Sequence, residues 1–184
     1  MSIKKRTLGG SFTSPAIERY WAKPSSAHAS SDEAFVLAVL DALRKVRLEA
    51  IVVGSVAGIL QGSPVTTQDL DLLVRDTPTN RRKIQALGAA LGGRPRAITE
   101  LSSALRIDLP AATIDVLFDQ LSGNLTFQAL RARSLSVSLG GQTALVARLE
   151  DVIASKEAAG RPKDLAQLPT LRDTLRVKKT LGRT

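Results

Sequence analysis

Asp69 and Asp71 stand two residues apart in Gln68-Asp-Leu-Asp-Leu-Leu-Val74. Alternation along a strand sends residues i and i+2 to one face, so the two carboxylates point the same way while Leu70 and Leu72 pack behind them. Adjacent carboxylates repel, and burying them unpaired is costly. A hard divalent cation removes that cost, and Mg²⁺ is the usual one where phosphates also bind. Upstream, the β-branched run Ile51-Val52-Val53 ends in Gly54-Ser55, at the junction of a strand and a helix. Glycine lets the backbone approach a phosphate closely, and the serine hydroxyl and the free N–H groups of the next helix can hydrogen-bond it. Carboxylate pair and Gly-Ser turn thus fall on one sheet edge. A further strand, Thr113-Ile-Asp-Val-Leu-Phe118, carries Asp115 inside an otherwise apolar run. A carboxylate among such neighbours needs a reason, the plain alternative being that it faces solvent.

A Gly-Ser pair after a strand, followed by Asp-x-Asp on a second strand, resembles the signature of the polymerase-β-like nucleotidyltransferase superfamily. The flanking pattern is most similar to its small prokaryotic members in toxin–antitoxin and abortive-infection systems. The resemblance spans Leu48 to Leu168. It implies an α+β nucleotidyltransferase fold: a small mixed β-sheet flanked by helices, with a C-terminal helical segment. It implies metal-dependent transfer of a nucleoside monophosphate from an NTP to an acceptor hydroxyl. Asp69, Asp71 and Asp115 would then be the catalytic carboxylates and the ligands of Mg²⁺, two ions being expected. Asp119, at the end of its strand, competes with Asp115 for the third place. Gly54, Ser55, Lys156, Lys163 and Asp164 would bind the nucleotide, Lys156 and Lys163 at triphosphate oxygens and Asp164 orienting a base or a lysine. The other reading of Lys156, Lys163 and Asp164 is an ion-pair cluster between two helices. One departure stands out: relatives often carry an arginine in the turn before Asp-x-Asp, and residues 62–67 here hold no basic residue. Phosphate grip from that side is weakened accordingly.

Composition narrows the chemistry. The chain has 184 residues, enough for one domain with small appendages, and 43% of them are apolar, enough for a core. Aromatics are only 3%, so Leu, Val, Ile and Ala must build that core. Cysteine is absent, which excludes disulfides and thiolate zinc sites and fits a reducing, cytoplasmic setting. His28 is the one histidine, so a His-based triad or His-rich metal site is out and oxygen ligands are favoured. No apolar run is long enough to span a membrane, and no signal peptide is visible.

The formal charge of +9 is unevenly spread. Residues 1–23 and residues 172–184 carry +4 each, leaving the body nearly neutral. Basic ends are attracted to phosphate backbones without reading sequence; solubility or an acidic partner protein would explain them equally. They favour RNA as the acceptor, with the 3′ end of a tRNA as the expected case. A partner protein of a toxin–antitoxin pair and a small antibiotic follow. The rival from another class is a non-catalytic nucleotide-binding antitoxin or adaptor with an idle pocket.

The elements that must position these residues follow from periodicity. Residues 1–29 form a basic, partly irregular arm, in which Tyr20 and Trp21 pack on the body or stack on a base. The nucleotidyltransferase domain is expected over 30–170 and a basic tail over 171–184. Ser30 with Glu33 makes a capping box for a helix ending near Arg47. A strand over 50–53, a helix over 55–61 and a strand over 68–75 hold the motif. A helix over 77–92 follows, its Arg81-Arg82-Lys83 run reading as a solvated face. Two short extended stretches, 96–101 and 104–109, make a hairpin. After the Asp115 strand come a short helix over 126–132 and strands 134–139 and 142–146 around Gly140-Gly141. A helix over 149–159 and another opening at Pro162 close the chain.

Overall fold

A computed structural model describes residues 27–99, 103–110 and 112–182. The basic N-terminal arm, with Tyr20 and Trp21, lies outside the described residues. The strands are β1 (Ile51–Val53), β2 (Asp69–Val74), β3 (Pro95–Ala97), β4 (Leu105–Asp108), β5 (Thr113–Phe118), β6 (Gln120–Leu121), β7 (Leu125–Thr126), β8 (Leu135–Leu139) and β9 (Gln142–Val146). The helices are α1 (Ala27–Lys45), α2 (Gly54–Ile59), α3 (Pro78–Ala90), α4 (Phe127–Arg133), α5 (Leu149–Ala159) and α6 (Pro162–Leu181). Seven strands form one sheet in the order β3-β4-β5-β2-β1-β9-β8, and β6-β7 is a separate hairpin. The large sheet is mixed: β2 runs parallel to β5 and β1 parallel to β9, while β1 and β2 are antiparallel.

The expectation of a mixed β-sheet flanked by helices, with a helical C-terminal segment, holds. Side-chain alternation explains how the sheet does two jobs. Leu70, Leu72 and Val74 of β2, with Ile114, Val116 and Phe118 of β5, turn to one face and are buried. Ile84 and Leu87 of α3 and Val39 and Leu43 of α1 join the same apolar cluster. Their burial frees the opposite face for Asp69, Asp71 and Asp115. Leu and Val dominate this core, as the shortage of aromatics requires.

Helix starts follow local chemistry. Thr77 caps α3 by accepting a hydrogen bond from Asn80 N, with Pro78 in the first turn, and Thr126 caps α4 by accepting from Ala129 N. The expected capping box fails: α1 opens at Ala27, so Ser30 lies within the helix and is not its N-cap. Propensity carries the helix through Ala27-His28-Ala29, past the signal that Ser30 and Glu33 offered. The hairpin expected from 96–101 and 104–109 is present as β3 and β4. Helix α6 runs to Leu181 with Pro169 inside it, so Arg172, Arg176, Lys178 and Lys179 sit on a helix. No helix among the described residues is long and apolar enough to cross a membrane.

Candidate active site

Strand register brings the acidic residues together. Asp71 pairs across the parallel β2–β5 ladder with Asp115, and Asp69 pairs with Thr113. On the other side of β2, Asp71 is opposite Val53, whose successor Gly54 opens α2. One cross-sheet row therefore reads Val53, Asp71, Asp115, and a second, two residues away, reads Asp69, Thr113. Laterally paired residues share a face, so all three carboxylates lie on the same side of the sheet.

They do not crowd into a ready cluster, however: among the described residues no group of three acidic side chains is gathered closely enough to hold a metal ion. Asp69 and Asp115 already have partners. Asp69 Oδ1 accepts a hydrogen bond from Thr113 Oγ1 at 2.5 Å. Asp115 takes both Arg106 Nε and Arg106 Nη2, each at 2.7 Å. Asp71 lies against the Gly54 backbone and keeps the weakest partnership. Burial, then the charges of Asp115 and Asp69, push its carboxyl up to about 7, while Lys156 and Lys163 pull it down. Asp119, the competing third carboxylate, is used elsewhere: it accepts a hydrogen bond from Asp76 N at 2.9 Å, at the end of β5.

Gly54 is required by its geometry. Its φ is +63°, and a Cβ there would stand 2.0 Å from Asp71 Oδ2. The missing side chain is what lets the turn close on the carboxylate. Ser55 follows and is buried, but its hydroxyl is engaged: Oγ donates to Gln167 Oε1 at 2.8 Å. Gln167 in turn donates through Nε2 to Thr66 O at 3.2 Å, tying the turn before Asp69 to α6.

The basic side of the site comes from α5 and α6. Lys156 Nζ bonds Asp164 Oδ1 at 2.9 Å, and Arg161 Nε bonds Asp164 Oδ2 at 2.5 Å. Burial alone would raise the Asp164 carboxyl; the hydrogen bonds from Lys156 and Arg161 hold it below its ordinary range. Lys156 and Asp164 thus do form an ion pair between helices, as one of the two readings had it, and both also line the cavity. Lys163 is exposed at the cavity rim and close enough to Asp71 to lower its pKa.

Asp69, Asp71, Asp115, Gly54, Ser55, Lys156, Lys163 and Asp164 all line one cavity of about 740 Å³. Arg106 and Gln167 line it too and went unrecognised in the sequence. Gln167 was within reach of helical spacing, since it follows Asp164 by one turn. Arg106 was not, because nothing local says which residue of a short edge-side strand pairs with Asp115.

The donor set fits a hard cation. It offers carboxylate oxygens and hydroxyls, with no thiolate or imidazole among the lining residues. Asp69 and Asp71 would hold such an ion, and its charge would offset the burial and the carboxylate repulsion that raise the Asp71 pKa.

The sequence matches no protein-family model and no curated protein. Solved structures do match in shape. The chain superposes on ANT(2″)-Ia in complex with adenylyl-2″-tobramycin with a TM-score of 0.60 at 17% identity, covering 81% of this chain and 92% of that one. The solution structure of the antibiotic-resistance factor ANT(2″)-Ia gives 0.59 at 15% identity, over 84% and 92%. The lincosamide antibiotic adenylyltransferase LnuA, bound to lincomycin, gives 0.56 at 12% identity, over 78% and 96%. At these identities the likeness establishes a shared nucleotidyltransferase fold.

Proposed function

We infer that the chain is a nucleotidyltransferase, moving a nucleoside monophosphate from an NTP to an acceptor hydroxyl. The observation that carries this reading is the approach of Gly54 to Asp71 in a cavity that also holds Asp69, Asp115, Lys156 and Lys163. A strand-end turn, acidic residues and two lysines are what a triphosphate and its cation need around them. Structures of the same fold support it: LnuA is named an adenylyltransferase, and ANT(2″)-Ia was solved in complex with adenylyl-2″-tobramycin.

Mg²⁺ held by Asp69 and Asp71 would neutralise charge on the triphosphate and align it for attack. The residues then have distinct tasks. Gly54 leaves backbone space against the carboxylate, and the Ser55 hydroxyl, once released from Gln167, can donate to a phosphate oxygen. Lys156 and Lys163 place positive charge where the β- and γ-phosphates would lie. Asp115 keeps lone pairs beyond those given to Arg106 and is the carboxylate placed to accept the hydroxyl proton. The acceptor oxygen bonds to the α-phosphorus, the bond to the bridging oxygen breaks, and pyrophosphate leaves.

The overall charge of +9 supports RNA as the acceptor, the 3′ end of a tRNA being the proposed case, with the chain acting as a toxin-like component of a toxin–antitoxin pair. A small-molecule acceptor is the second reading, favoured by the tobramycin- and lincomycin-bound neighbours. A modified partner protein and an idle, non-catalytic pocket complete the set.

The test is incubation of the purified protein and Mg²⁺ with each labelled NTP and, separately, total tRNA, tobramycin and lincomycin. Label is expected on one acceptor class, and Asp69→Ala or Asp71→Ala should lower its transfer at least about 1,000-fold with folding intact. Full activity in either variant refutes the assignment, and heat of NTP binding with Mg²⁺ but no label on any acceptor favours the non-catalytic nucleotide-binding reading.

A further inference from the structure

The row that carries Asp71 and Asp115 continues beyond β5. Its next member is Arg106 on β4, the direct cross-strand partner of Asp115. Arg106 grips both carboxylate oxygens at 2.7 Å, a forked pairing that fixes direction as well as distance. The Asp115 side chain is 13% exposed and that of Arg106 30%, so the pair is shielded yet borders the cavity. Ile107, fully buried next in sequence, anchors β4 and limits how far Arg106 can withdraw. Both Asp115 oxygens are thus already engaged by a side-chain cation.

We propose that this site takes a single divalent ion, between Asp69 and Asp71, and that Arg106 stands at Asp115 as the second positive charge. Arg106 answers one of the three carboxylates directly and leaves Asp69 and Asp71 as the pair without a guanidinium, which is where one divalent ion would sit. The charged lining as a whole, four carboxylates against Arg106, Lys156, Arg161 and Lys163, is already balanced, so each further ion adds positive charge that only the nucleotide's phosphates could offset. The guanidinium cannot dissociate or lose its proton, so the charge beside Asp115 is independent of metal concentration and pH. The resemblance drawn from the sequence implied two ions; Arg106 is the residue that changes that number. The proposal rests on the nucleotidyl-transfer reading for the purpose of the site, but ion number can be measured without turnover.

Mn²⁺ alone, and Mn²⁺ with a non-hydrolysable NTP analogue, would be titrated into the whole protein by calorimetry, with electron paramagnetic resonance to detect coupling between neighbouring ions. Wild type is expected to take one uncoupled ion, lost in Asp71→Asn. Arg106→Gln should take two, with Mn–Mn coupling, and its thermal midpoint should rise with Mn²⁺ more than that of wild type. Arg106→Lys, which keeps the charge without the fork, should stay at one. Two coupled ions in wild type overturn the proposal whatever the variants do. So does a folded Arg106→Gln protein that still takes one ion, or two ions in Arg106→Lys. Wild type that takes no Mn²⁺ overturns it together with the metal reading. One ion without transfer to any acceptor removes the proposed activity and leaves the single-ion site standing.

Discussion

Asp71 is the residue on which acid–base behaviour and cation binding meet. Its carboxyl titrates near 7 in the fold, against 3.8 for the unperturbed group, because burial and then two neighbouring carboxylates disfavour its charge. The folded state therefore binds this proton more tightly than the unfolded one. Without metal, stability should be fullest below about pH 4, decline as pH rises towards 7 and level off above it. The loss is on the order of 4 kcal/mol, an upper figure because the site can relax. Urea unfolding of metal-free protein across that window should show the decline, and Asp71→Asn should flatten it. Cation affinity runs the other way: a bound ion must displace the proton, so Mn²⁺ should bind more weakly as pH falls below 7. Gly54 sets the other limit at this scale. Gly54→Ala would drive a methyl group into the Asp71 carboxylate and force a backbone with positive φ on an L-residue. Mn²⁺ affinity should drop about tenfold or more, as expected when a support of a metal ligand is lost. An unchanged calorimetric isotherm would contradict the close packing of turn and carboxylate.

Helices α5 and α6 are held together through Asp164, which is 2% exposed and takes both Lys156 and Arg161. Asp164→Ala should destabilise the protein by about 3–5 kcal/mol, since it strands Lys156 without its counter-charge. The Asp164 carboxyl is held below its ordinary range, so this contribution is present above the usual carboxylate pKa and fades as pH falls. Denaturation of wild type and variant at pH 7 and in acid would show the gap narrowing. At this scale the sequence was readable where periodicity was strong. The Asp115 strand and the helix over 149–159 have the expected boundaries, and the 3.6 and 2.0 residue repeats are why. Ser30 misled because a capping signal competes with the helix propensity of the alanines before it. The β3–β4 hairpin was legible, but the pairing of β4 with its sequence neighbour β5 was not, because only the closed ladder fixes which residue of β4 stands opposite Asp115.

Taken whole, the molecule joins a nearly neutral body to basic ends, the C-terminal one carried on α6. If RNA is the acceptor, its binding should weaken steeply between 50 and 200 mM salt, by roughly 10³-fold for about six phosphate contacts. Fluorescence anisotropy with labelled tRNA would follow this, while a neutral small-molecule acceptor should show little dependence. The candidate site was largely legible because its parts sit in three short motifs, and a resemblance supplied the lysines that spacing alone could not. Arg106 and the tether from Ser55 to Gln167 were hidden because they exist only once the sheet and α6 have closed. The parallel pairing of β2 with β5 carries one more consequence. Asp71 and Asp115 come from opposite ends of a long crossover, so their juxtaposition cannot precede completion of that crossover. Asp69 and Asp71 alone, neighbours on one strand, attract an ion only weakly, and the finished sheet adds the field of Asp115, so added Mn²⁺ should favour the finished structure, by about 2.7 kcal/mol at a hundred times its dissociation constant.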